Sequence, residues 1–176
     1  MRHVITLLVE NQPGVLARIV GLISGRGYNI ESLNVAPTHD PRTSRMTMTV
    51  PGDDRVLEQV TKHLNKLVDV LKVSDLTRKP SLNRELVLLD VAANPENRQE
   101  IAELAQSLDI KVVSVQTKSM TLQMIGDQES IAERLNRLKP LRILDLSRTG
   151  AIAVPRTGKE AQIEGESVES GAGREP

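Results

Sequence analysis

Asn11-Gln12-Pro13-Gly14 lies between a β-branched run and an apolar-periodic stretch, and its residue types suit the capture of a small zwitterion. A helix opening after this loop would expose unpaired N–H groups and a positive partial charge, which together make a carboxylate site. Gly14 lets a ligand approach the backbone closely. Pro13 suits the first turn of a helix and stiffens the loop. The Asn11 amide can accept from a ligand ammonium or cap the helix. The same four residues also read as an Asn-capped helix after a tight turn, and spacing alone leaves both readings open.

No other stretch carries comparable chemistry. Gly21, Gly25 and Gly27 suggest a nucleotide loop but fall at the end of the helical stretch, whereas phosphate sites need its start. His3, His39 and His63 are scattered without metal-ligand spacing. Asp53-Asp54 reads as a helix cap rather than an acid–base pair, and the serines lack a nucleophile-elbow context. The expectation is a chain with no catalytic residues, no metal and no cofactor of its own.

Composition narrows the partners. Basic and acidic residues number 23 each among 176, so there is no net charge to favour nucleic acid or an anionic membrane. Trp and Phe are absent and Tyr28 is the one aromatic residue, which removes the platforms on which RNA bases stack. That argues against an RNA-binding module sharing the same element order. The lack of cysteine excludes disulfides and fits a reducing cytoplasm. No apolar run is long enough to span a bilayer, and Met1-Arg2-His3 leads into a strand-like run rather than a signal peptide.

The elements that must position the loop follow from periodicity. Val4–Val9 is short and β-branched, a strand. Val15, Leu16, Ile19, Val20, Leu22 and Ile23 recur on one helical face, stopped by Gly25 and Gly27. Asn29–Ala36 and Arg45–Val50 read as strands. A second helix carries Val56, Leu57, Val60, Leu64 and Leu67, and Val68–Leu76 reads as a strand. The order is βαββαβ. It repeats through a strand at Glu85–Ala92, a helix from Asn94-Pro95-Glu96, strands at Ile110–Val115 and Met120–Ile125, a helix with Ile131, Leu135 and Leu138, and a strand at Leu141–Leu146. Ala151–Val154 adds an edge strand. The expected fold class is α+β: two ferredoxin-like βαββαβ domains over 1–77 and 84–155, a linker at 78–83, and a Glu-, Gly- and Ser-rich disordered tail over 156–176.

"NQPGVLARIVGLISGRGYNIESLNVAPT", "SRMTMTV" and "LEQVTKHLNKLVDVLKVSDL" resemble the regulatory (small) subunit of acetolactate synthase. The first domain resembles an ACT domain, a sensing module of amino-acid metabolism. The resemblance covers 2–76, and continues over 84–155 through "RELVLLDV" and "LSRTGAIAVPR". It implies a homodimer through side-by-side ACT domains, with valine bound at their interface as feedback effector. Asn11, Gly14 and Asn29 match the family's effector positions, with N–H groups from Val15 and Leu16. Leu16, Ile30 and Leu33 are available to the effector's side chain.

The resemblance also implies a partner, the catalytic large subunit, which would carry thiamine diphosphate, Mg²⁺ and FAD, and the expected location of this chain is cytoplasmic. That subunit joins two pyruvates, or pyruvate and 2-oxobutyrate, in branched-chain amino acid biosynthesis. The second domain would activate it, and there Ser147-Arg148-Thr149-Gly150 reads either as a functional stretch or as a strand exit with a glycine turn. A free-standing ACT sensor serving another enzyme or a transcription factor is the alternative.

Overall fold

Ile5, Leu7 and Val9 alternate with Val4, Thr6 and Leu8, and this period of two sorts the first strand into a face on the helix-covered core and an opposite face on which Thr6 is also buried. The computed structural model describes residues 1–156; the tail expected over 156–176 lies outside them, apart from Arg156. Elements β1 (Arg2–Glu10), α1 (Val15–Ser24), β2 (Ser32–Pro37), β3 (Thr43–Pro51), α2 (Asp54–Leu64) and β4 (Val70–Asp75) form the first unit. Its antiparallel sheet runs β2-β3-β1-β4. Ile5, Leu7, Met46 and Met48 lie fully buried beneath Ile19 and Ile23 of α1 and Val60 and Leu64 of α2.

The second unit repeats the order with β5 (Ser81–Ala92), α3 (Arg98–Ser107), β6 (Lys111–Val115), β7 (Ser119–Gly126), α4 (Gln128–Leu138) and β8 (Ile143–Arg148). Its sheet runs β6-β7-β5-β8. A separate core gathers Leu89, Ile101, Leu122, Met124, Ile131 and Leu138. The α+β class and the pair of ferredoxin-like units are therefore as the periodicity indicates.

Several boundaries differ from the sequence reading, each for a local reason. Segment 78–83 is not a linker throughout: Ser81 already begins β5, because Ser81–Arg84 pair with β9 (Ile152–Pro155). This two-stranded ribbon faces the side of the first sheet that its helices do not cover. Leu82, Ile152 and Val154 of the ribbon share a cavity of about 260 Å³ with Ala36, Arg45 and Thr47 of β2 and β3. The strand expected from Asn29 starts only at Ser32, since Gly27 turns left-handed (φ 76°) and Ile30 packs on the core before the ladder opens. Val68 is exposed and precedes β4. Strand β8 starts at Ile143 because Leu141 is held in a turn, its N–H donating to the Leu138 carbonyl.

Candidate functional site

Helix α1 opens without the aspartate cap of α2 and α4, and α3 also has no side-chain cap. Asp53 caps α2, accepting from the Val56 N–H, and Asp127 caps α4, accepting from the Ser130 N–H. The first turns of α2, α3 and α4 carry Asp54, Glu100 and Glu129, whereas that of α1 has no acidic residue. Its N-cap is Gly14 at φ 85°, and no side chain caps it. The expected Asn11 cap does not form, and Pro13 precedes the helix instead of occupying its first turn. Val15 N–H makes only a long 3.4 Å bond to the Gln12 carbonyl, and no backbone partner for the Leu16 or Ala17 N–H occurs among the described residues. The positive end of α1 is thus open for an anion.

Asn11 is held where it can serve this opening. Its backbone N–H donates to the Arg42 carbonyl (2.7 Å) and its Nδ2 to the Pro41 carbonyl (2.9 Å). Oδ1 has no partner among the described residues and can accept from a ligand ammonium. The 38–43 turn that grips Asn11 is itself braced. Asp40 takes a bidentate pair from Arg42, at 3.1 Å from Nε to Oδ1 and 2.9 Å from Nη2 to Oδ2. Hydrogen bonding from Arg42 holds the Asp40 carboxyl down at about 2.

Arg18 was not singled out by the sequence. Its Nη1 lies 3.1 Å from where a Cβ on Gly14 would stand, and its Nε pairs with Asp69 at 2.7 Å. A guanidinium therefore sits beside the open N–H groups and has nitrogens left for a carboxylate. Residue spacing on α1 could have suggested it, because Arg18 lies one turn after Gly14. Its orientation depends on Asp69, far along the chain.

The apolar candidates divide. Leu16 is 42% exposed, so the helix buries Val15, Ile19 and Ile23 rather than the wider stripe expected. Ile30 and Leu33 are half-buried against the first core. Asn29 is exposed and its side chain has no partner among the described residues. The structure does not bring Asn29 to Asn11 within one chain. Ten residues of α1 separate the two ends, about 15 Å at helical rise.

The corresponding loop of the second unit is closed by its own side chains. Asn94 Oδ1 accepts from the N–H groups of Glu96 and Asn97, and Asn97 Oδ1 accepts from the Asn94 N–H at 2.7 Å. That closed turn delays α3 to Arg98, a turn later than expected. Ser147–Gly150 is a strand exit: Arg148 clasps the buried Glu85 at 2.7 and 2.8 Å, and Thr149 Oγ1 accepts from the Leu86 N–H. Among the described residues no three His, Asp or Glu side chains gather as a metal site, and no helix is long and apolar enough to cross a membrane.

Two βαββαβ units in tandem, the first with an open helix terminus, define a double ferredoxin-like protein of the ACT type. The chain belongs to the acetolactate synthase small-subunit family. Residues 5–72 match the family of AHAS small subunit-like ACT domains, and residues 84–157 match the small subunit of acetolactate synthase. It is similar to the probable acetolactate synthase small subunit of Archaeoglobus fulgidus, 45% identical over 91% of this chain and 100% of that protein. It is also similar to the acetolactate synthase isozyme 3 small subunit of Escherichia coli, 39% identical over 90% of this chain and 98% of that one. Among solved structures, the small subunit from Thermotoga maritima superposes with a TM-score of 0.81 at 31% identity, covering 89% of this chain and 98% of that one. The role that goes with this family is regulatory.

Proposed function

We propose that this chain is the regulatory subunit of acetolactate synthase, that it activates a separate catalytic subunit, and that valine bound at the α1 terminus is its feedback effector. One observation carries the effector assignment: α1 begins at a left-handed glycine with no cap, no acidic first-turn residue and a guanidinium alongside. The ligand carboxylate meets the N–H groups of Leu16 and Ala17 and Arg18. Its ammonium meets Asn11 Oδ1. Its branched side chain lies on Leu16, whose exposure otherwise leaves apolar surface in water.

Gly14 and Asn29 stand at opposite ends of α1, so the pocket needs a second copy. Strand β2 is one of the two edges of the first sheet, and its Val35 is 41% exposed, which suits side-by-side pairing of two ACT sheets. A twofold axis there brings Asn29 of the partner subunit, with the neighbouring Ile30 segment, towards the Asn11–Gly14 loop. Thiamine diphosphate, Mg²⁺ and FAD belong to the large subunit, where two pyruvates, or pyruvate and 2-oxobutyrate, are joined. Valine acts by binding one arrangement of the dimer better than another, and a coupling of about 1–3 kcal/mol suffices.

The test is calorimetric titration with valine of the chain, alone and with its catalytic subunit, beside Asn11→Ala and Gly14→Asp. An aspartate at 14 would set its carboxylate against Arg18 and occupy the anion's place. Binding by the unaltered chain and none by either variant is the expected result. If valine leaves both the chain and the complex unaffected, the effector assignment is wrong.

A further inference from the structure

Gly150 is a point at which the second unit bears closely on the strand that continues from the effector segment. A Cβ placed on it would lie 2.7 Å from Ser32 Cβ and 3.1 Å from Ser32 Oγ. Its φ of +73° belongs to the left-handed region where glycine is at ease.

Neither side of this contact can retreat freely. On one side, Arg148 is tied to Glu85 and Thr149 to Leu86, both on the central strand β5. On the other, Ser32 Oγ bonds Thr49 Oγ1 at 3.0 Å and the Glu31 N–H donates to the Thr49 carbonyl at 2.9 Å. Arg2 holds Glu31 at 2.7 Å. Around the contact the seam is open: a cleft of about 460 Å³ has Arg2, Glu31, Ser32, Arg148 and Gly150 among its walls. The two units therefore meet here at a bearing with room beside it, three residues downstream of Asn29.

We propose that the Gly150–Ser32 contact is the joint through which effector occupancy at the first unit reaches the second. The proposal rests on the effector reading above. A ligand that engages Asn29 repositions the 29–31 segment, Ser32 moves with it, and the pinned β8–β9 turn follows. Energy passes only if Ser32 presses Gly150 differently in the two arrangements.

The experiment compares Gly150→Ala, Ser32→Val and the double variant Ser32→Gly/Gly150→Ala, each assembled with the catalytic subunit. Valine inhibition is read against each variant's own valine-free rate, and valine binding to each chain is read by calorimetry. Gly150→Ala and Ser32→Val thicken the contact from opposite sides. Both are expected to bind valine within about twofold of the unaltered chain, yet to shift half-inhibition by about fivefold or more. Ser32→Gly/Gly150→Ala keeps the strain of a non-glycine at φ +73° but removes the side chain it strikes, so inhibition should return.

Unchanged inhibition in Gly150→Ala and Ser32→Val overturns the proposal while leaving the effector site standing. A loss in Gly150→Ala that Ser32→Gly does not rescue also overturns it, because backbone strain would then be the cause. If the unaltered complex neither binds nor responds to valine, the effector reading fails and the joint falls with it.

Discussion

The amide of Asn11 is divided between fold and site: Nδ2 is committed to Pro41, and Oδ1 is left over. The site therefore inherits the rigidity of the 38–43 turn, and Asp40 becomes testable although it touches no ligand. Its carboxyl titrates at about 2 instead of 3.8, through Arg42. A depressed carboxyl stabilises the folded form above its unfolded value, and that contribution is lost as pH falls from 3.8 towards 2. Asp40→Asn should weaken valine binding severalfold, equally from about pH 5 to about pH 8, because the native carboxylate is ionised throughout that range. Calorimetry at three pH values decides this, and undiminished binding would mean that Asn11 holds its place without the turn. The loop that opens α1 was legible in the sequence, because Pro13-Gly14 between a strand and an apolar-periodic stretch marks a helix start. Arg18 was not, because an arginine on an exposed helical face looks solvated until Asp69 aims it.

Helices show which termini are finished and which are left open. Asp53→Ala should cost about 1 kcal/mol in denaturant unfolding, the usual worth of a side-chain cap. Helix α1 has no such cap to lose, and unlike α3, which also lacks a side-chain cap, it has no acidic residue in its first turn. Helix α2 also carries His63, whose pKa is lowered by burial and then by Arg26 and Lys66. Lowering favours the neutral ring in the folded state. The unfolded chain therefore takes up the proton first, and stability falls as pH drops below about 6.5. His63→Gln should flatten the stability profile between about pH 5 and about pH 7, and an unaltered slope would place its origin elsewhere. Element order was readable from alternation and helical period. Starts and stops were not, because Ile30 and Leu141 are apolar residues whose periodicity says strand while the core and a turn hold them outside it.

Across the whole molecule the buried Glu85 matters most where the two units meet. Arg148 is its sole ion-pair partner among the described residues, and that bond raises the Arg148 pKa. Removing the cation should therefore hurt more than neutralising the anion. Arg148→Ala strands a buried carboxylate and is expected to cost about 1–3 kcal/mol, whereas Glu85→Gln should cost less. Urea unfolding of both variants checks the order, and a larger loss in Glu85→Gln would reverse the assignment. Two tandem units were legible in the sequence because each repeats its own pattern of two periods. Their junction was not, since Thr77–Asn83 looks like a polar spacer and its partner strand lies at the far end of the second unit.

That junction has a consequence during synthesis. The first unit contains all its own strands and can close while the ribosome is still making the rest. The opening residues of β5 have no such neighbour: Ser81–Arg84 must wait, unpaired, until Ile152–Pro155 emerge. The clasp between the halves is thus the last piece of sheet to form, and in a nascent chain halted before residue 152 the first half is complete while the clasp has yet to close.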